Sequence, residues 1–273
     1  MAYVQQPDGA AAAVLPVGAT RLRWYREVVT VAAFYAAYSA IRNVFGSNAV
    51  ASDVALANAE RVIAFERALH LFVEGDVQRV VLGWSTVFVR FWNLYYGSLH
   101  FMVTAGLLIW LYVRRRSNYR AMRNLLGLTT ALALIGYFSF PLAPPRLYKC
   151  NNNIPVPTKG GYVIGRCFVD TLEKVGGLWS YHSSAAKAVA NPYAAMPSLH
   201  FGWSLWCAIV IWRCVRHRSN KVLAVLYPAL TLFAIVVTAN HWFLDAAGGA
   251  LIVGAALLIV DRWHRRHPLP TAS

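Results

Sequence analysis

The sequence contains few charged residues. Asp, Glu, Lys and Arg make up only 14% of its 273 residues, whereas soluble domains carry roughly a quarter. Long alternating strand patterns, internal repeats and low-complexity tracts are also missing, and the four cysteines do not have zinc-finger spacing. These absences argue against a soluble domain, a membrane β-barrel, a repeat protein and a zinc finger.

The residues that are present are mainly apolar. Hydrophobic types account for 58% of the chain, and several apolar runs approach the roughly 20 residues with which a helix crosses a bilayer. The sequence therefore predicts an all-α integral membrane protein. Its first twenty residues have no basic segment before their short apolar part, so we expect the first membrane helix to act as an uncleaved signal.

Basic residues give the chain a net charge of +15. They do not predict a nucleic-acid partner, because they lie in clusters at the ends of apolar runs and not in one patch. The positive-inside rule places each cluster in the cytoplasm. The four clusters are Arg21, Arg23 and Arg26; Arg114, Arg115, Arg116, Arg120 and Arg123; Arg213, Arg216, Arg218 and Lys221; and Arg262, Arg265 and Arg266.

Six membrane helices are predicted, and with six crossings both termini and all four basic clusters lie in the cytoplasm. Residues 52–71 predict an amphipathic helix on the outer interface. Residues 72–90 predict an interfacial or re-entrant segment, since their apolar core is too short to span. The predicted spans are 28–45, 92–113, 124–140, 193–212, 222–237 and 242–260.

The predicted organisation is one membrane domain, 28–261, between a cytoplasmic segment, 1–27, and a cytoplasmic tail, 262–273. Its interfacial region is 52–90. One large extracytoplasmic loop, 142–194, is polar and rich in Pro, Gly and Asn. Cys150 and Cys167 lie in this loop on an oxidising side, so both a disulfide and two free thiols remain open.

An ionisable residue inside a membrane helix is a candidate functional residue, because it is costly to bury there. His241 and Asp245 lie near the outer end of the sixth predicted helix, and their i, i+4 spacing places them on one face. The carboxylate can accept the imidazole Nδ1 proton, which fixes the tautomer and leaves Nε2 free to attack. This pattern predicts a nucleophile and the residue that orients it.

His200 lies just after Ser198 at the predicted start of the fourth helix, where unpaired N–H groups and the helix dipole favour an anion. We expect a phosphate there, with Ser198 donating to its oxygens. Arg146 is predicted to supply bidentate charge and Lys149 a point charge. His200 is then placed to protonate the leaving oxygen.

The strings around these residues resemble a known family. MPSLH at 196–200 and HWFLD at 241–245 resemble the second and third motifs of the type 2 phosphatidic acid phosphatase superfamily. The longer strings FPLAPPR, NPYAAMPSLHFGW and ANHWFLDAAGG look more like its inositol phosphorylceramide synthase branch, with similarity from about Trp92 to the end of the sixth helix. The resemblance implies a six-helix core and catalysis through a phosphohistidine, with His241 as nucleophile, Asp245 as its partner and His200 as acid.

The sequence departs from the family's usual motifs at two places. Ala234 and Ile235 stand where the common third motif has a Ser-Arg pair, and Arg146 is followed by Leu147 where the common first motif has an Arg-Pro pair. These departures concern the residues predicted to bind the phosphate and not the two catalytic histidines. The synthase branch shares the missing arginine, so its loss does not argue against catalysis.

The predicted activity is a metal-independent lipid phosphatase or phosphotransferase without a cofactor, acting at the extracytoplasmic face of the cell membrane. The substrate is a lipid phosphate or phospholipid, and water and a lipid alcohol remain open as acceptors. Three alternatives are a metal site formed by the two histidines and the carboxylate, a transporter with a His241 and Asp245 proton relay, and a membrane scaffold. His100 and His182 are interpreted as packing residues.

Overall fold

A computed structural model describes residues 23–44, 52–148, 156–158, 161–163, 168–176, 192–215 and 217–267. These ranges form helices and one antiparallel hairpin of β1 (Val156–Thr158) and β2 (Gly161–Val163). The helices are α1 (Trp24–Val44), α2 (Ser52–Ala68), α3 (Glu74–Leu82), α4 (Thr86–Leu94), α5 (His100–Arg114), α6 (Arg116–Ser139), α7 (Thr171–Lys174), α8 (Leu199–Cys214), α9 (Arg218–Val237) and α10 (Phe243–Arg266).

Four helices in the described part of the chain are long and apolar enough to cross a membrane: Thr86–Arg114, Arg116–Ser139, Ser219–Val237 and Phe243–Arg266. The predicted helical membrane-protein class is therefore confirmed. Helix α8 has 16 residues and a length of about 24 Å, which is less than the roughly 30 Å hydrocarbon core. Six crossings remain a prediction.

The second predicted span begins earlier than expected. A continuous helix runs from Thr86 to Arg114, because a π-helical turn, Tyr95–Leu99, joins α4 to α5. Ser85 caps its start, with its side chain accepting a hydrogen bond from the Phe88 N–H at 3.2 Å. Arg90 is exposed near this start, where its guanidinium can reach the interface. The segment 72–90 thus divides between α3 and the first turns of this long helix.

The predicted amphipathic helix forms as α2, but one of its acidic side chains is not exposed to solvent. Glu66 is fully buried, and Glu74 of α3 is equally buried. Glu60, on the same helix, is exposed as the pattern predicts. The polar residues of α2 therefore divide between solvent and the protein interior, a distinction that the amphipathic pattern does not make.

Helix α8 lies at the centre of the bundle and packs against α5, α6, α9 and α10. Its Trp206 is fully buried and donates its indole N–H to the carbonyl of Met122 at 2.8 Å. The start of α8 approaches α10 closely, since a side chain at Gly249 would lie 2.5 Å from the Ser198 carbonyl oxygen. Only glycine permits this approach of the two backbones.

The basic ends of the helices meet on one side of the bundle. Arg213 near the end of α8 pairs with Asp261 near the end of α10 at 2.8 Å, and Arg123 in the first half of α6 pairs with Glu27 near the start of α1. The end of α6 and the starts of α8 and α10 consequently lie on the opposite side.

Candidate active site

A pocket of about 230 Å³ lies on the side of the bundle that is opposite to the basic helix ends. It is formed near the end of α6 and the starts of α8 and α10. Both predicted catalytic histidines line it, together with the predicted phosphate-binding arginine. The polar and aromatic side chains of the lining include Tyr96, His100, Arg146, His200, Asn240 and His241.

His241 and Asp245 are in contact and almost fully buried. The Nδ1 atom of His241 lies 3.2 Å from Asp245 Oδ2 and 3.0 Å from the carbonyl oxygen of Ala195. Because a carbonyl oxygen only accepts hydrogen bonds, the proton of the neutral imidazole is on Nδ1. The lone pair is then on Nε2, as a nucleophile requires.

The three sequence motifs are tied together by their backbones. Arg146 follows α6 in a short 3₁₀ turn (Pro145–Leu147), the MPSLH residues lead into α8, and His241 precedes α10. Backbone hydrogen bonds run from Arg146 N to Ala239 O at 2.9 Å, from Leu142 N to Tyr193 O at 2.8 Å and from Ser198 N to Asp245 O at 2.8 Å. The relative positions of the motifs therefore depend on main-chain contacts.

His200 lies in the first turn of α8, and its ring is 5.6 Å from the ring of His241, centroid to centroid. It stacks on Tyr96 at 4.1 Å and donates a hydrogen bond to the backbone of that residue. These contacts hold one face and one nitrogen of the imidazole, so the ring is oriented before a ligand arrives.

The π-helical turn and the first residue after it supply two pocket residues that the sequence did not identify as site residues. Tyr96 belongs to it, and His100 begins the helix after it. The ring of His100 lies 4.6 Å from that of His200 and 5.1 Å from that of Trp203. His100 is buried, as its interpretation as a packing residue implies, but it also lines the pocket. Such turns interrupt the regular helical period, so a 3.6-residue pattern cannot locate them.

Arg146 lines the pocket and forms an ion pair with Asp170 at 2.9 Å. Asp170 also caps α7, because its other oxygen accepts a hydrogen bond from the Glu173 N–H at 3.1 Å. A carboxylate fixed in this way holds the guanidinium in one orientation. The predicted site residue Lys149, together with Cys150, Cys167 and His182, lies outside the described residues.

Ser198 occupies a different position from the one expected. It is fully buried and is not part of the pocket lining. It is the N-cap of α8, with Oγ accepting a hydrogen bond from the Phe201 N–H at 3.4 Å. In the structure, this hydroxyl therefore bonds to its own helix and does not line the pocket.

We expect Ser198→Ala to lower the free energy of unfolding by about 1 kcal/mol, the usual cost of losing a helix cap. KM for the lipid substrate should change less than twofold, because the hydroxyl does not face the pocket. Thermal unfolding in detergent and steady-state kinetics measure the two effects, with Ser98→Ala as a second buried-hydroxyl variant. A large rise in KM with unchanged stability would instead support the predicted contact with phosphate.

Three carboxyl groups surround the start of α10. Asp245 accepts a hydrogen bond from the N–H of Trp242 at 2.9 Å, Glu74 from that of Phe243 at 3.1 Å, and Glu66 from that of Leu244 at 2.9 Å. Burial, followed by the neighbouring carboxyl of Glu74, raises the pKa of Glu66 to about 9. Glu66 is therefore protonated at neutral pH and can share its proton with Glu74.

The sequence model of one family, described as the PAP2 superfamily, matches residues 60–259. The chain belongs to the PAP2 superfamily. Its enzymes are generally of the phosphatase type and act on lipid-type substrates, which agrees with a membrane protein whose histidines line a pocket. Searches of curated proteins and of solved structures found no significant match. Among the described residues, no group of three or more His, Cys, Asp or Glu side chains is arranged to hold a metal ion.

Proposed function

We propose that the protein is a lipid phosphatase or phosphotransferase that forms a phosphohistidine on His241. The observation that carries this proposal is the double contact of His241 Nδ1 with Ala195 O and Asp245 Oδ2, at 3.0 and 3.2 Å. It leaves Nε2 as the nucleophilic nitrogen. His200, with its ring 5.6 Å away, is near enough to act on the opposite side of a phosphate.

The reaction has two steps. In the first, Nε2 of His241 attacks phosphorus, the N–P bond forms, and the P–O bond to the leaving group breaks. His200 enters this step protonated on both nitrogens and donates the proton that is not bonded to Tyr96 to the departing oxygen, which leaves as an alcohol. In the second, His200 removes a proton from water or a lipid alcohol, whose oxygen attacks phosphorus and breaks the N–P bond. Asp245 stabilises the positive charge that His241 acquires.

Phosphate binding is assigned to Arg146 and to the start of α8. The Arg146 guanidinium lines the pocket, and the unpaired N–H groups of a helix start favour an anion. Lys149 and Ser198 remain predicted ligands on the sequence argument, although the capping role of Ser198 makes it the weaker of the two. Ala234 and Ile235 supply no third-motif arginine, so the proposed guanidinium contact rests on Arg146 of the first motif.

The proposed topology has six crossings, with α1 and α8 added to the four long helices. Both termini lie in the cytoplasm and the pocket faces the extracytoplasmic side of the cell membrane. The common side of the basic helix ends supports this orientation through the positive-inside rule. The pocket then lies where a lipid phosphate can enter laterally from the outer leaflet.

The resemblance to the inositol phosphorylceramide synthase branch favours a phosphoinositol donor and a lipid alcohol as acceptor. Purified protein should be incubated with phosphatidic acid, an isoprenoid phosphate and phosphatidylinositol, each with and without ceramide, and the products identified by mass spectrometry. We expect phosphate release or head-group transfer, and we expect EDTA to leave it unchanged.

Each other outcome of this experiment supports a different hypothesis. Complete loss of turnover with EDTA would support the metal site. Absence of any lipid product, together with substrate-driven proton flux in liposomes, would support the transporter in which His241 and Asp245 relay protons. Absence of both would contradict the proposed enzyme.

A further inference from the structure

An apolar cavity of about 600 Å³ lies between α1, α5 and α6. We call it the side groove. Its volume is within the roughly 300 to 1,000 Å³ of small-molecule sites. Aliphatic and aromatic side chains form most of its wall. Thr30, Arg123 and Asn124 line it toward the basic ends of α1 and α6, and the hydroxyls of Thr104 and Thr130 donate to carbonyls of their own helices. The groove therefore suits a hydrocarbon ligand and not a polar one.

The side groove borders the catalytic pocket. Tyr35, Tyr38, Phe101 and Trp203 line both cavities. Trp203 is held in place because its indole N–H donates to Thr130 Oγ1 at 3.0 Å, and Thr130 is itself part of the groove wall. A ligand with its phosphate between the two histidines therefore has this apolar groove next to its apolar part.

The dimensions fit one lipid chain. Along α1, the helical rise from Tyr38 to Thr30 is about 12 Å, close to half of the roughly 30 Å hydrocarbon core of a bilayer. The far end contains Arg123, which is paired with Glu27.

We propose that the side groove binds one hydrocarbon chain of the lipid whose phosphate lies in the catalytic pocket. The inference rests on the proposed function and extends it from the head group to the chain. Its consequence is a preference for lipids whose chain is long enough to fill the groove.

The test uses Gly127→Phe, which places a ring in the groove. Gly127 lines it, and nothing lies within 4 Å of the position that its Cβ would occupy, so the substitution causes no backbone clash. Gly254→Phe is the matched control, since its Cβ position is equally open but outside the groove. The substrates are dioctanoyl and dipalmitoyl phosphatidic acid in detergent micelles, and kcat/KM is measured for both.

We expect Gly127→Phe to lower kcat/KM for the dipalmitoyl substrate by about tenfold or more, equivalent to losing the burial of roughly two methylene groups. Turnover of the dioctanoyl substrate should fall less than threefold, and Gly254→Phe should match the wild type on both. If Gly127→Phe changes kcat/KM equally for both substrates, or for neither, the side groove does not bind the chain of the substrate and the inference is wrong. If the wild type turns over neither, the same variants are compared on dioctanoyl and dipalmitoyl phosphatidylinositol with ceramide. Absence of turnover there as well contradicts the proposed function, and the groove assignment falls with it.

Discussion

Replacing His241 by alanine is expected to reduce lipid turnover by about 10³-fold or more, because the nitrogen that attacks phosphorus is lost. The same change should lower the free energy of unfolding by only about 1 kcal/mol, the typical worth of the lost hydrogen bond to Ala195 O. Steady-state kinetics and thermal unfolding in detergent separate the two effects. A phosphoenzyme trapped by acid quench should be present in the wild type and absent from the variant.

A second variant keeps this prediction testable if the alanine protein unfolds. In His241→Asn the amide nitrogen is bonded to Cγ as Nδ1 is, so it can still donate to Ala195 O, but the side chain has no nucleophilic nitrogen. His217→Ala is the control, because His217 is exposed and makes no capping contact at the start of α9. Retention of activity in both His241 variants would show that the nucleophile is elsewhere.

The contact between His241 and Asp245 could be predicted from sequence because it is local. The predicted reason, a shared helix face, is wrong, because His241 lies just before α10 and only Asp245 lies on it. The contact forms because Asp245 is in the first turn of the helix, and its Oδ2 lies 3.2 Å from His241 Nδ1. The apolar runs were equally informative, since helix length and hydropathy alone identify the four long helices. In each case a few neighbouring residues contain all the information that the prediction needs.

The buried glutamates could not be predicted in this way. The hydrogen bonds that Glu74 accepts from the Phe243 N–H and Glu66 accepts from the Leu244 N–H join residues 169 and 178 positions apart. An amphipathic pattern indicates that α2 has a polar side, but it does not indicate which partner meets that side. Glu66 and Glu74 find their partners in another helix, so the sequence of α2 alone suggests a solvated charge.

The start of the long helix at Thr86 shows a different limit. Arg90 interrupts an apolar run, and a count of apolar residues consequently begins the span after it. In the structure Arg90 lies within the first turns, where a long side chain can extend to the interface. The Ser85 cap was the better signal of where this helix begins.

The wild type is expected to lose stability as the pH rises towards 9, and Glu66→Gln is expected to prevent most of this decrease in the free energy of unfolding. The pKa of Glu66 is raised from 4.5 to about 9, so between these values the folded protein binds more protons than the unfolded chain. The free energy of unfolding contributed by this group is therefore greatest below about pH 4.5 and falls as the pH rises towards 9. Near pH 9 the shared proton is lost, and two buried carboxylates repel each other at the start of the helix that follows His241.

The glutamine amide can accept from the Leu244 N–H and donate to Glu74 without titrating. Unfolding in detergent at pH 6 and pH 9 should show a smaller decrease for Glu66→Gln than for the wild type, and kcat should follow stability because α10 carries Asp245. Glu60→Gln, an exposed position on the same helix, should retain the wild-type decrease. Equal decreases in the wild type and Glu66→Gln would mean that Glu66 and Glu74 do not share a proton, and that another group sets the alkaline limit of the fold.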